Sequence, residues 1–369
     1  MPSAAHVFAL AALLLASCAS GSADVPVRSA PTRPRDSAAP AASAPARRTE
    51  SSPAPAKRPA AARPSAATAS MALPDAASAL GLTFSWIEPG RRARLSGRGQ
   101  RMEFEARSRE IEANGLRIFL GSAVQVKGDE LAVSRIDYET CLVPILNPSR
   151  IRAAAPRPKV IALDPGHGGP DNGTQNVKLG LKEKVFTLDV ALRLKSLLEV
   201  RGFKVVLTRD TDERVELLQR ALIANRAGAD LFLSIHFNSL PADTKTSGTE
   251  VFTFAPQYQR STNSWGSQTD DTEDEAAPVN RYDAWSTVFA HALHRELIED
   301  LKTFDRGKKL MHLGMLRGLK CPGALVESGF LSNPEEARKI STPAYRQQIA
   351  AALASAIADY VRILDSARR

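Results

Sequence analysis

The chain has 369 residues, 43% hydrophobic and 24% charged, which is enough for one sizeable core and a smaller second one. Its formal net charge is +9, but between positions 21 and 72 eight basic residues stand against three acidic ones, so that segment alone carries +5. The basic residues there (Arg28, Arg33, Arg35, Arg47, Arg48, Lys57, Arg58, Arg63) are scattered through Ala, Pro and Ser with no aromatic between them. This excludes the folded basic face that nucleic-acid binding requires.

Residues 7–16 form an apolar run. At about ten residues it is too short to span a membrane and matches the apolar region of an export signal. Leu15-Ala16-Ser17-Cys18 resembles the lipobox of bacterial lipoproteins, which implies a signal over 1–18 and a lipid anchor on Cys18. No Lys or Arg precedes the run, only His6, so plain signal cleavage with a soluble product is the alternative. Either way the protein is expected in the periplasm or cell envelope, as a lipoprotein in the first case. Residues 19–74 are low-complexity Ala, Pro, Ser and Arg; such a segment buries too little apolar surface to offset ordering entropy and is expected to be a disordered tether. The remaining cysteines, Cys141 and Cys321, fall in different expected domains, and no disulfide is expected between them.

Residues 75–150 change to short alternating runs at 82–86, 93–95, 102–105, 118–120 and 141–145, separated by Gly, Pro and Asn. That pattern predicts a small β-rich domain. Leu-Gly-Leu before the first run, Ile111-Glu112-Ala113-Asn114-Gly115 in a turn and Leu142-Val143-Pro144 at the end resemble the stalk domain first described in copper amine oxidases.

From 157 to 369 strands alternate with helices. Strands are predicted at 159–163, 203–207, 231–235, 249–254 and 324–326, and helices at 181–200, 213–227, 284–301 and 342–364. Alternation of this kind predicts an α/β fold: a mostly parallel twisted sheet flanked by helices, phosphorylase/hydrolase-like, with ligands beyond the carboxyl ends of the strands.

That edge gathers the chemistry. Val160-Ile161-Ala162-Leu163 ends abruptly at Asp164-Pro165-Gly166, placing His167 on a loop between glycines. His236 and Glu327 each follow a buried strand, and Glu183 opens the helix after the first one. Two histidines and a glutamate within reach form a ligand set suited to catalytic zinc, with a fourth position for water. Imidazoles and one carboxylate leave the ion's charge partly unneutralised, so bound water drops from a pKa near ~15.7 towards ~7. A second carboxylate can then shuttle the proton.

Four segments, Asp164-Pro165-Gly166-His167-Gly168-Gly169, Lys182-Glu183, Ser234-Ile235-His236-Phe237-Asn238 and Val326-Glu327-Ser328-Gly329-Phe330-Leu331-Ser332-Asn333-Pro334-Glu335, resemble the zinc-dependent N-acetylmuramoyl-L-alanine amidases of the family that includes the cell-division amidases. The resemblance covers about 157–364, with the motifs in the family's order. It implies His167, Glu183 and His236 as ligands of one Zn2+ and Glu327 as the catalytic glutamate. The implied reaction is hydrolysis of the amide between the lactyl group of N-acetylmuramic acid and L-alanine in peptidoglycan. Thr208-Arg209, Arg220 and Asn225 also match family positions, where fixing a loop and touching substrate are equal readings; Asn238 is read as supporting the His236 loop. His291, His294 and His312 are read as ordinary packed residues.

The chain departs from the simplest family members at 255–283, an insertion with a polar run Asp270, Asp271, Glu273, Asp274, Glu275. By default it is a surface loop. The resemblance also raises the expectation of a restraint on access, with Glu273 or Glu275 near the metal, relieved by an activator protein. Two other functions compete with the amidase: a zinc peptidase cutting within the stem peptide, and a catalytically silent wall-binding protein. A silent descendant is expected to have lost at least one of the four residues, and all four are present.

Overall fold

The computed structural model describes residues 69–262 and 271–369. The expected signal with Cys18, nearly all of the expected tether and Asp270 lie outside the described residues. Ordered structure starts earlier than expected: Ser70–Ala72 (β1) is already a strand, paired with Glu130–Ser134 (β8), which pairs in turn with Gln125–Lys127 (β7), and the helix Leu73–Leu80 (α1) follows β1 directly. Its small residues carry no strand signal of their own; the partner strand supplies the order.

The N-terminal part is a meander of Thr83–Glu88 (β2), Arg92–Gly97 (β3), Gln100–Glu105 (β4), Glu110–Ala113 (β5) and Leu116–Phe119 (β6), each antiparallel to the next. Alternation drives it: Ala93, Leu95, Met102, Phe104, Ile111 and Ala113 point to one buried core, while Arg94, Glu103 and Glu112 point away. One expected strand is corrected. Residues 141–145 are helical, with a π turn at Tyr138–Leu142 followed by Val143–Leu146. Pro144 falls in the first turn, where its missing N–H costs little, and the apolar side chains bury together against that core.

The second part contains the strands Val160–Pro165 (β9), Lys204–Leu207 (β12), Leu231–Asn238 (β13), Thr249–Thr253 (β14), Asp305–Leu310 (β15) and Gly323–Phe330 (β16). All join the meander in one eleven-stranded sheet, ordered β12-β9-β13-β16-β14-β15-β6-β5-β4-β3-β2, while the short strands Gln175–Asn176 (β10) and Leu181–Lys182 (β11) pair with each other apart from it. The four strands from β12 to β16 are parallel as expected; β14 is antiparallel to β16 and makes the sheet mixed. One face is covered by the helices Glu183–Val200 (α2), Asp283–Leu301 (α4) and Pro343–Ala367 (α6), the other in part by Leu217–Arg226 (α3). Strand β15 was not anticipated. Its sequence, Asp-Arg-Gly-Lys-Lys-Leu, reads as a polar loop, yet Lys308 and Lys309 are buried and paired within the sheet. A short helix Pro334–Ser341 (α5), capped by Asn333 through the Glu335 and Glu336 amides, was missed as well.

The direction of β14 decides where the insertion lies. Glu250 pairs with Glu327 and Phe252 with Leu325, so β14 runs away from the edge that carries Glu327. The two stems of 255–283 meet at the far end, where Asn280 Nδ2 donates to the Ala255 carbonyl at 3.1 Å. Glu273 pairs with Arg317 and Asp271 accepts from Ser261 at 2.8 Å. The expectation that Glu273 or Glu275 approaches the metal ligands is therefore corrected: the antiparallel strand carries this segment to the other end of the sheet. Cys141 sits in the N-terminal core and Cys321 in the cluster around α3, both as buried free thiols.

Candidate metal centre

The site rests on a buried polar floor. Asp164, inaccessible to solvent, accepts from Thr208 Oγ1 at 2.6 Å, Ser234 Oγ at 2.7 Å and Arg220 Nη1 at 2.7 Å, fastening the ends of β9, β12 and β13 to α3. Burial alone would raise its pKa, but Arg220 and the two hydroxyls outweigh this and hold the carboxyl below the usual range. Arg220 also donates to the carbonyls of Pro165 and His167, and Arg209 to those of Pro165, Gly166 and Lys184. Both arginines thus fix the His167 loop from beneath. Asn225 bonds to the 318–320 segment and Asn238 to Glu250, while His294 bonds Asp305 at 2.7 Å and His312 faces Asp271, each in a packing role.

Above this floor His167, Glu183 and His236 come together, each offering one ligand atom, and these atoms lie within 4.8 Å of one another. Two glycines make the approach possible. A side chain at Gly166 would stand 2.2 Å from the His236 ring, and one at Gly173, with φ +63°, would stand 2.5 Å from both Glu183 Oε2 and the His167 ring. His167 itself has φ 62°, a left-handed conformation uncommon outside glycine, held by the Arg209 and Arg220 bonds below it.

Glu183 is the first residue of α2, where the helix dipole favours negative charge. Its Oε1 accepts from His236 Nδ1 at 2.9 Å and Phe237 N at 3.1 Å; its Oε2 accepts from Thr174 N at 2.8 Å and lies 3.0 Å from His167 Nε2. Burial disfavours its charge, but the two histidines overcome this and keep the carboxyl well below its ordinary range. Asp171 Oδ2 lies 2.8 Å from His167 Nδ1 and orients that ring, a residue the sequence reading passed over although a carboxylate four residues after the histidine was its signal. Burial presses His167 towards neutrality, yet Glu183 and Asp171 raise it to about 11. The pocket has an excess of negative potential that a divalent cation can neutralise in place of protons.

His236 and Glu327 are not beyond their strands, as expected, but within them, opposite one another in the parallel β13–β16 pair. Glu327 is 3% exposed, and its Oε2 is buried with no hydrogen-bond partner. Burial, then Glu183 and Glu250, push its carboxyl well above the ordinary range. A cluster of two imidazoles and one ionised carboxylate, with a second carboxylate that keeps one buried oxygen unpartnered, matches in donor type a hydrolytic metal site and its proton carrier.

These features define a hydrolase with a candidate metal centre at the carboxyl edge of a mixed α/β sheet. A family model described as N-acetylmuramoyl-L-alanine amidase matches residues 161–359, and the chain belongs to that family. It is 32% identical over 217 residues to the germination-specific N-acetylmuramoyl-L-alanine amidase of Bacillus subtilis (strain 168), covering 55% of this chain and 79% of that relative. With the N-acetylmuramoyl-L-alanine amidase AmiA of Escherichia coli (strain K12) it shares 32% identity over 233 residues, 56% of this chain and 78% of the relative. Among solved structures, the catalytic domain of CwlV from Bacillus (Paenibacillus) polymyxa var. colistinus is 29% identical, covers 56% of this chain and 99% of that one, and has a TM-score of 0.46.

Proposed function

We propose that this amidase holds one zinc ion through His167, Glu183 and His236, and that Glu327 is its catalytic acid-base. The observation that carries the reading is the pairing of a closed three-residue ligand group with a buried, unbonded carboxylate one strand away. When bound, the ion would supply Lewis acidity towards the scissile carbonyl and a lowered pKa for attacking water. The chain's own residues do the rest. Asp171 and Glu183 set the ring orientations, Arg209 and Arg220 hold the His167 backbone, and Glu327 takes a proton from water and returns it to the amine of L-alanine.

The substrate is the amide between N-acetylmuramic acid and L-alanine in peptidoglycan, met in the cell envelope, with the chain tethered through a lipid on Cys18. Among the described residues no helix is long and apolar enough to cross a membrane. An activating protein docked on 255–283 would act from the edge opposite the catalytic one, through the sheet. We read the chain as a signal over 1–18, a tether ending before Ser70, a β-rich part to about 150 and a catalytic part over 157–369.

The test is digestion of purified peptidoglycan by the full chain, with and without chelator, beside Glu327→Ala, with products read by mass spectrometry. Intact stem peptides beginning with L-alanine, lost in the variant and in chelator, are expected. Fragments cut within the stem peptide would move the function to a peptidase, and zinc binding without release to a wall-binding role.

A further inference from the structure

Next to Glu327 lies a second buried carboxylate that no sequence motif singled out. Glu250 of β14 is 2% exposed and stands directly opposite Glu327 in the antiparallel β14–β16 pair, a distance of about 4.5–5.5 Å between Cα atoms. Three donors converge on it. Lys309 Nζ of β15 bonds its Oε2, Asn238 Nδ2 of β13 bonds its Oε1 at 2.6 Å, and Arg306 Nε lies 3.8 Å from the same oxygen. The Lys309 ammonium is further held over the rings of Phe119 and Phe252, 5.6 and 5.8 Å from their centroids.

The contrast with Glu327 is the point. Of two buried glutamates facing each other across one strand pair, Glu250 has the cation and the amide, while Glu327 keeps an oxygen with no partner. A general base whose carboxylate is tied into an ion pair is both less basic and less mobile. With Glu250 neutral, the buried Lys309 would lose the Glu250 oxygen it now bonds, and Glu327 stands opposite that position in the strand register.

We propose that Glu250 is a positioning residue that captures Lys309 and thereby keeps Glu327 unpaired and available for catalysis. This inference rests on Glu327 being the acid-base. It assigns the Glu250–Lys309 pair a role that simple neutrality of the core does not: two apolar residues of similar volume would satisfy the packing at equal or lower cost.

The experiment measures kcat, KM and zinc content of the full chain on peptidoglycan for Glu250→Gln, for Glu250→Gln with Lys309→Met, and for Glu327→Ala. Glu250→Gln should lower kcat by roughly a hundredfold, the lower end of what a positioned general base contributes, with KM and bound zinc unchanged. Removing Lys309 in the double variant should restore kcat to within about tenfold of the parent, because the ammonium released from Glu250 is gone. Full kcat in Glu250→Gln overturns the proposal, and so does a folded double variant as slow as the single one. A double variant that fails to fold makes the pair a folding element and overturns it too. If Glu327→Ala stays active, the assignment of Glu327 fails instead, and that outcome is read from its own arm.

Discussion

His236 of β13 and Glu327 of β16 face each other in a parallel strand pair, so one residue of the ligand group and the unbonded carboxylate share a single sheet register. Shifting either strand by one residue would turn its side chain to the opposite face. The two residues should nonetheless separate by measurement. His236→Ala is expected to lose both bound zinc and activity, whereas Glu327→Gln should keep its zinc and lose about 10²–10⁴-fold in kcat. Metal analysis of the purified variants decides it; zinc loss in Glu327→Gln would move that residue into the ligand group.

Asp164 should be the least replaceable residue of the floor. It is inaccessible and bonded to Arg220, Thr208 and Ser234. Asp164→Asn leaves Arg220 buried without its counter-charge, at a cost of about 3–5 kcal/mol in stability. The folded carboxyl titrates below its unfolded value, so its contribution is present above the unfolded pKa of about 3.9 and is lost as pH falls through the folded one. Urea unfolding at neutral pH should show the full deficit of the variant, and the deficit should shrink in acid.

How far these features were legible depended on whether their cause was local. Val160 to Leu163 followed by Asp164-Pro165-Gly166 announces a buried strand and a stop, and His167 was placed accordingly. Glu183, the first residue of α2, is told apart from Glu327 as the ligand glutamate only by the family's motif. Strand β15 was illegible because Lys308 and Lys309 read as solvent residues until Thr287 and Glu250 supply their partners. Glu250 left one faint signal, a lone charge in the buried strand Thr-Glu-Val-Phe-Thr. The far-edge position of the insertion was equally hidden, since strand direction is a property of the partner strand.

Arg109 links the N-terminal meander to the insertion stem, donating to the carbonyls of Arg260, Ser261 and Thr262 as well as Leu120. Burial, with Arg260 beside it, lowers it to about 10, so it stays charged at neutral pH. Arg109→Ala should speed hydrogen exchange at the Ser261 and Thr262 amides while activity on peptidoglycan stays within about threefold. Unchanged exchange would mean that Asp271, Gln259 and the pairing of Thr262 with Leu310 hold the stem without Arg109.

Lys308 of β15 lies opposite Ile118 of β6, and there the catalytic strands meet the N-terminal meander. The junction is polar as well as apolar: Asp305 Oδ2 accepts from the Arg117 amide at 2.8 Å, Gln259 Nε2 donates to Ser134 Oγ at 3.1 Å, and Lys308 is fully buried. Removing residues 69–150 would turn β15 into an open edge, a template for pairing with other chains, and would wet a lysine whose partners sit in the core. A chain of residues 157–369 should therefore aggregate, or melt at least about 5 °C below residues 69–369, although every ligand residue remains. Size exclusion and thermal melting of the two chains settle the matter. A monodisperse 157–369 melting with the longer chain would show that the shared sheet is two domains laid edge to edge and not one folding unit.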